Sequence, residues 1–415
     1  LENNKILVLG LGQNNFLSFL YGALKRKDKR FFVTAPFLAA LNDKIATESW
    51  IYNNEQIVTK PNLFSFLQAI FYCLLSKHFY QTIIFILFLE AKVVKTFHFV
   101  AKQIQGKAFF IANKDFAKFD TFHFHFMQYS YLRELFFVPK NKKIVCSFWG
   151  SDLLRTCDNF NFYFVKKALN KATIITCQSA ELKEIVMSKF GRNLLDKIEV
   201  VMFPIEDKIY NLINKNYNIT EKIDQFKIKS NYAKDKINVA IGHNGSIFNN
   251  HLKIILALQT LQNINRFHFI VNLNYAITES EKELYKKKLI EAFRGLNCTY
   301  VILEEFFVAE ALALSRLSTD VFIHAPISDA LSSTMLEMLY ASSIVITGVW
   351  LPYKTFRNAK LNYLEFSVFS EISPILDAIA INFETQKQQA SGNKNAIENY
   401  FFSDKIVNKW CEILQ

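Results

Sequence analysis

No C-x-x-C pair occurs in this chain, and its six cysteines (Cys73, Cys146, Cys157, Cys177, Cys298 and Cys411) lie scattered along 415 residues. Such spacing argues against a disulfide framework or a zinc finger and fits a reducing cytosol. No apolar run reaches the roughly 20 residues that a bilayer-spanning helix needs. No glycine-rich turn carries a lysine in the Walker position, and no Asp-x-Asp pair is present to grip a divalent cation. Internal repeats, long low-complexity tracts and recognisable nucleic-acid modules are also missing, so nucleic acid is not an expected partner. The first residues form a charged turn leading straight into strand-like Lys5-Ile6-Leu7-Val8-Leu9-Gly10, and no secretory leader is expected.

Apolar material, by contrast, is plentiful. Half of the residues are hydrophobic, phenylalanine alone contributes 42, and the length suits two domains of ordinary size. The net charge of +12, from 49 Lys+Arg against 37 Asp+Glu, suits an anionic partner such as nucleotide phosphates or a membrane surface. Two apolar runs, 63–75 (LFSFLQAIFYCLL) and 83–89, are bordered by Lys77, His78, Lys92, Lys95 and Lys102. Each reads either as a buried core helix or as a helix lying in a membrane interface. We expect peripheral attachment through 62–105, at the cytoplasmic face of an inner membrane.

Short apolar strands alternate with helical stretches, the pattern of parallel sheets wrapped by helices. In the first half strands are expected at 5–10, 31–34, 109–111, 121–126, 143–148, 173–176 and 198–202, with helices at 15–25 and 180–190. The second of these helices starts after the N-cap Ser179 and stops at Gly191. A charged, Asn- and Lys-rich stretch at 206–236 reads as a linker between domains 1–205 and 237–390. Alternation resumes with strands at 238–242, 267–273, 300–303, 321–324 and 344–348. Helices are expected at 249–262, 279–293, 308–318 and 332–341. After 372–380, the polar stretch 386–394 separates that helix from a final one. The segment 391–415 is expected to end in a helix packing back towards the first domain.

In open α/β sheets ligands bind beyond the carboxyl ends of the strands, so polar residues there are the candidates. The opening turn offers Gly12 and Gln13, without the third glycine of a dinucleotide fingerprint. His123 and His125 share one strand face, as cleft-lining or core residues, or as an incomplete metal pair. Trp149, Gly150, Ser151, Asp152 and Arg155 follow a strand end. Ser151 or Asp152 would either cap a helix or bind an acceptor hydroxyl. In the second half, Gly242, Asn244, Gly245 and Ser246 form a turn with amides for a phosphate, and His251 follows it. Asn274 and Tyr275 end the next strand, and Glu305 the one after. Asp329 and Glu337 then stand eight positions apart, loop acid and helix acid, flanking Leu331, Ser332 and Ser333 at a helix start. That layout can span one elongated ligand, or it is an ordinary cap and a surface charge.

Taken together these residues resemble the GT-B glycosyltransferases, whose α/β fold has two Rossmann-like parallel-sheet domains facing each other across a cleft. The match runs over most of the chain: the Gly-rich first turn, FWGSD, ATIITCQSAELKEIV, IGHNGS and the acid pair. Family 4 retaining enzymes carry Glu-x7-Glu where this chain has Asp329-x7-Glu337. The likeness implies that Asp329 and the amides near Leu331 and Ser332 hold the donor sugar and phosphate, and that Glu337 holds the ribose. Asp in place of the first Glu shortens the reach by one methylene. The basic pair that neutralises the diphosphate in that family is missing after Gly242, leaving His251 or Lys253 to substitute. The second domain is also similar to the bacterial Fuc4NAc transferases of enterobacterial common antigen assembly, which invert the anomeric centre. The implied function is a hexosyltransferase moving a sugar from a UDP, GDP or dTDP donor to a glycan or polyprenyl-linked acceptor, in surface polysaccharide or lipopolysaccharide synthesis. Retention without a metal or other cofactor is expected from Glu337, with Asp152 as a further catalytic candidate. An inverting reaction would need Asp152, His123 or His125 as base. A nucleotide-sugar epimerase and a non-catalytic glycan- or nucleotide-binding protein are the alternatives.

Overall fold

The computed structural model describes residues 4–10, 15–34, 61–89, 93–113, 118–156, 158–205, 207–402 and 404–415. Gly12 and Gln13 lie outside the described residues. The chain divides into two units, Leu1–Pro204 with Asp404–Gln415, and Ile205–Ser403.

The first unit holds strands β1 (Asn4–Gly10), β2 (Phe31–Thr34), β3 (Thr121–His125), β4 (Lys143–Ser147), β5 (Ile174–Cys177) and β6 (Ile198–Val200), in the order β2-β1-β3-β4-β5-β6. Every pairing is parallel. Strands covered on both faces need near-continuous apolar runs, and Ile6-Leu7-Val8-Leu9 is one, buried throughout. Leu17, Leu20, Tyr21 and Leu24 recur at helical spacing on helix Asn15–Lys27 and join Ile6, Val8 and Val33 in one core. Helix Asp404–Leu414 adds Trp410, Ile413 and Leu414 to that core, and the Trp410 indole donates to the Met202 carbonyl at 2.7 Å. Gly10 sits at φ +98, and a Cβ there would strike the backbone of His125, so the end of β1 demands glycine.

The expected strand at 109–111 is instead the end of helix Val93–Ala112. Phe109-Phe110-Ile111 is too short a run to decide its own state. Upstream, buried Thr96, Phe99, Gln103 and Gly106 keep a helical period that carries through it.

The second unit holds β7 (Ile237–Ile241), β8 (Phe267–Asn272), β9 (Thr299–Leu303), β10 (Val321–His324), β11 (Ile344–Gly348) and β12 (Leu364–Phe366), in the order β12-β11-β10-β7-β8-β9. All pairings are again parallel. Read from the β9 edge this is the doubly wound order, with its switch point between β7 and β10. Helices bury Ile254, Leu258, Leu289, Phe293 and Leu376 against the sheet. The stretch read as a linker, 206–236, carries helices Asp207–Asn216 and Thr220–Lys229 of this unit; Tyr210, Ile213 and Phe226 are buried beneath a charged exterior that hid their spacing. The expected helix at 249–262 is broken: Asn250 adopts a left-handed φ of 57°, so the α-helix is His251–Ala257 between two 3-10 turns. The polar stretch 386–394 is helical on both sides of Gly392 (Phe383–Ser391 and Asn393–Phe401), and the short strand β12 went unforeseen.

Trp410 is fully buried and hydrogen-bonded. Trp410→Ala should therefore destabilise the first unit by about 3–5 kcal/mol, read from urea unfolding followed by far-UV circular dichroism.

Candidate functional site

In the first unit His123, His125 and Asp152 turn inward. His123 and His125 are fully buried. The Trp149 indole lies 3.2 Å from His125 Nδ1, and the Tyr21 hydroxyl 2.8 Å from both His125 Nε2 and His123 Nδ1. His123 Nε2 is 2.6 Å from Ser147 Oγ, itself 2.6 Å from Thr176 Oγ1. An indole can only donate, so it fixes every proton down the row: His125 donates to Tyr21, Tyr21 to His123, and His123 to Ser147. Burial lowers the His123 pKa to about 3 and holds His125 well below its usual value, so both are neutral. These are core histidines, contrary to a cleft-facing role.

Asp152 is equally committed. It is 2 % exposed and accepts from the amides of Met127, Trp149, Gly150 and Leu153 at 2.7–3.1 Å. Burial raises its pKa, and the four amides only partly offset that. Its work is to hold the turn after β4, where Gly150 sits at φ 124°: Oδ1 takes three of these amides and Oδ2 the fourth, inside the protein rather than facing an acceptor. Ser151 opens the short helix Ser151–Leu154, Arg155 is exposed beyond it, and the Trp149 carbonyl accepts from Gln178.

In the second unit the candidates gather at the carboxyl ends of β7, β8 and β10. After β7 the chain turns at Gly242 (φ +65), where a Cβ would collide with the His251 imidazole. Three of the turn's amides have protein acceptors, while those of His243 and Asn244 have none among the described residues. Gly242 N–H donates to the Ile323 carbonyl, Gly245 N–H to the Tyr275 carbonyl, and Ser246 N–H to Asn244 Oδ1. Of the expected phosphate cradle, the Gly242, Gly245 and Ser246 amides are therefore engaged, and the His243 and Asn244 amides are the ones left over. His251 is buried, with Nδ1 3.1 Å from the Tyr285 hydroxyl and a pKa lowered to about 4 by burial. Buried in this way the imidazole is neutral near pH 7 and brings no positive charge of its own to the turn. Lys253 is exposed, over the Phe369 ring.

β10 delivers His324 to the centre of the group. Its Nε2 lies 2.8 Å from the Tyr353 hydroxyl and 3.2 Å from Asp329 Oδ2, while Tyr353 donates to the same oxygen at 3.1 Å. The Ala330 amide donates to Asp329 Oδ1 at 2.8 Å. Burial alone would raise the Asp329 pKa; the His324 hydrogen bond, neighbouring His324 and His243, and the Ala330 amide outweigh it, and the carboxyl stays ionised below its usual range. The His243 ring centroid lies 5.6 Å from that of His324, and burial first, then His324, lower its pKa to about 3.

Glu337 lies on helix Ser333–Tyr340 and is mostly buried. Its Oε2 accepts from both Nε and a terminal nitrogen of Arg316 at 2.9 Å. Charges on Glu337, Asp329 and Arg316 all bear on the Tyr275 hydroxyl, whose pKa is raised first by burial and which bonds Asn244. Asp329, Glu337, Tyr275 and Asn244 thus form one neighbourhood. At the helix start Ser332 Oγ takes the Met335 amide, and the Ser333 and Thr334 amides have no acceptor among the described residues. Leu331 is half-buried beside them. Glu305 is exposed past β9 and has no hydrogen-bond or ion-pair partner among the described residues, whereas adjacent Glu304 pairs with Lys286.

Four buried polar atoms at these strand ends lack a partner among the described residues: His243 Nδ1, His251 Nε2, Asn274 Oδ1 and His324 Nδ1.

No protein-family model matches the chain, and no curated protein matches its sequence. Solved structures do match. HepE of Anabaena, in complex with UDP and glucose, aligns with a TM-score of 0.66 at 15 % identity over 99 % of both chains. A glycosyltransferase from Rickettsia africae aligns at 0.67 and 14 % identity, over 100 % of this chain and 98 % of that one. Sucrose-phosphate synthase from Thermosynechococcus elongatus gives 0.66 at 10 % identity, over 99 % and 98 %. The fold is GT-B. Identities this low establish the architecture, and the site must be argued from its own atoms.

His243, His324, Arg316 and Tyr353 were not singled out from sequence. Position at a strand end was the available signal for the two histidines. Nothing local marks Arg316 or Tyr353, which arrive from elements 21 and 24 residues away from the acids they bond.

His251 takes a proton at about 4 when folded and near 6.5 when unfolded, so acid favours the unfolded chain between those values. Unfolding free energy should fall as pH drops through that window, with His243 acting in the same direction, and stay level above it. Urea unfolding across pH checks this, and His251→Gln should flatten part of the slope.

Proposed function

We propose that the strand-end site of the second unit binds a nucleotide sugar and that the chain transfers the sugar to a glycan or lipid-linked acceptor. The observation that carries this is the set of orphaned buried polar atoms, His243 Nδ1, Asn274 Oδ1 and His324 Nδ1, around a locked carboxylate. Buried polar groups ordinarily have partners, and a hydroxyl-rich guest supplies them. Structures sharing the fold support the class: HepE was solved with UDP-glucose, and another neighbour is a glycosyltransferase.

In this reading Asp329 accepts hydrogen bonds from the donor sugar's hydroxyls, oriented by His324 and Tyr353. The free Ser333 and Thr334 amides, at the positive end of their helix, stabilise charge developing on the departing phosphate. Glu337 keeps Oε1 for the ribose hydroxyls while Oε2 holds Arg316, the nearest cation of the cluster. Retention of anomeric configuration is favoured because Asp152, His123 and His125 are occupied inside the first unit; in a retaining reaction the leaving phosphate itself takes the acceptor's proton. Having no Asp-x-Asp pair, the chain should keep its activity in a chelator. We place the reaction in bacterial surface polysaccharide or lipopolysaccharide assembly, at the cytoplasmic face of the inner membrane.

Titration with UDP-, GDP- and dTDP-sugars should show saturable binding of at least one; binding of none overturns the reading. With the donor found, Glu337→Ala should lower transfer at least tenfold, about 1.4 kcal/mol in the barrier. Proton NMR of the product linkage should show the donor's anomeric configuration. Release of an epimerised sugar without acceptor would point to an epimerase instead.

A further inference from the structure

Helix Leu63–Leu74 is amphipathic in the sense opposite to a soluble surface helix. Its buried positions are small, Ser65, Ala69 and Cys73, four residues apart and packed along helix Val93–Ala112. Its exposed positions are the large ones: Leu63, Phe64, Leu67, Ile70, Phe71 and Leu74, between 40 and 76 % exposed. The inversion continues on the next helical stretch, where Tyr80, Ile84 and Phe88 share a stripe at spacing four, and on the first turn of Val93–Ala112, with Val93, Val94 and Phe97. Helices facing water turn their large apolar residues inward. Small residues between helices and large ones outside is how helices are arranged in lipid. The exposed apolar area is on the order of 1,000 Å², beyond the few hundred usual for the largest patch of a soluble monomer.

Charge selects the occupant. Residues 61–89 and 93–113 contain four lysines and no carboxylate. Lys77 is exposed where the first two helices meet, and Lys107 lies 4.4 Å from the ring centroid of Tyr72, near the end of the first helix. Lysine is depleted from protein–protein interfaces, whereas lysines rimming an apolar face match anionic headgroups. The helices Leu63–Leu74 and Lys77–Phe88 are bent by 74° to each other. Each spans about 18 Å at 1.5 Å per residue, short of the roughly 30 Å hydrocarbon core. No single described helix is long and apolar enough to cross a membrane.

We propose that helices Leu63–Leu74 and Lys77–Ile84, with the first turn of Val93–Ala112, form a monotopic anchor inserting into one leaflet of an anionic bilayer. This deepens the membrane placement proposed above and is independent of sugar transfer. Sedimentation of the full chain with vesicles of three parts phosphatidylethanolamine to one part phosphatidylglycerol should carry it into the pellet. Binding to phosphatidylcholine alone should be at least tenfold weaker. Fluorescence of a Phe71→Trp variant should shift to the blue on the anionic vesicles and be quenched by brominated acyl chains. A Phe64→Ser, Leu67→Ser, Phe71→Ser variant should lose vesicle binding at least tenfold, with circular dichroism and any nucleotide-sugar binding unchanged. The anchor is overturned if the wild-type chain stays in the supernatant, if the quenching is missing, or if the triple change instead splits a solution dimer. Vesicle binding without nucleotide-sugar binding would sink the transferase reading alone.

Discussion

The second unit is organised around one carboxylate held between a strand and the element after the next strand. Asp329 follows β10 in a loop that an apolar helix does not constrain by itself. His324 at the end of β10 and Tyr353 beyond β11 converge on the same oxygen, while the Ala330 amide takes the other. An ionised group in such surroundings persists only when its bonds offset the loss of water. Those bonds require β10 and β11 to be in register, which the parallel pairing of Val321 with Ile344 through His324 with Thr347 provides. The sheet, in this sense, is what permits the charge.

The strand-end networks of the two units use buried polarity in opposite ways. In the first, the row from Trp149 to Thr176 and the amides around Asp152 leave nothing over: each donor meets an acceptor, and the groups rigidify the strand ends they sit on. In the second, the row stops short. His243, His251, Asn274 and His324 each keep one buried atom without a partner. Such atoms occur singly elsewhere, at His78, Gln103 and His268, whereas four gather around this one switch point.

Much of the architecture was legible in the sequence because buried parallel strands are written as short apolar runs. The runs at 321–324 and 344–348 appear in the structure as read. Helix Ala180–Phe190, with its Ser179 cap and terminal Gly191, also appears as read. What misled was charge and brevity. Helices Asp207–Asn216 and Thr220–Lys229 expose so many lysines that their buried stripes are masked, and Phe109-Phe110-Ile111 is too short to show its period. Of the candidate site, Asp329 and Glu337 were marked in the sequence by their spacing. The site was illegible at Arg316 and Tyr353, because long-range partners leave no local trace. The histidine pair His123 and His125 shows the converse: a conspicuous pattern whose atoms are all spoken for inside the core.

The hydrogen bond from Trp410 to the Met202 carbonyl joins residues 208 positions apart. The first unit's sheet therefore waits for the last helix of the chain before its outer face is closed, while the intervening unit is contiguous from 205 to 403. On a ribosome adding about 5–20 residues per second, that interval is roughly 10–40 s. The half made second can finish first, and the half made first spends that time with its core open where Trp410, Ile413 and Leu414 will close it, a window in which holdase chaperones have their natural target.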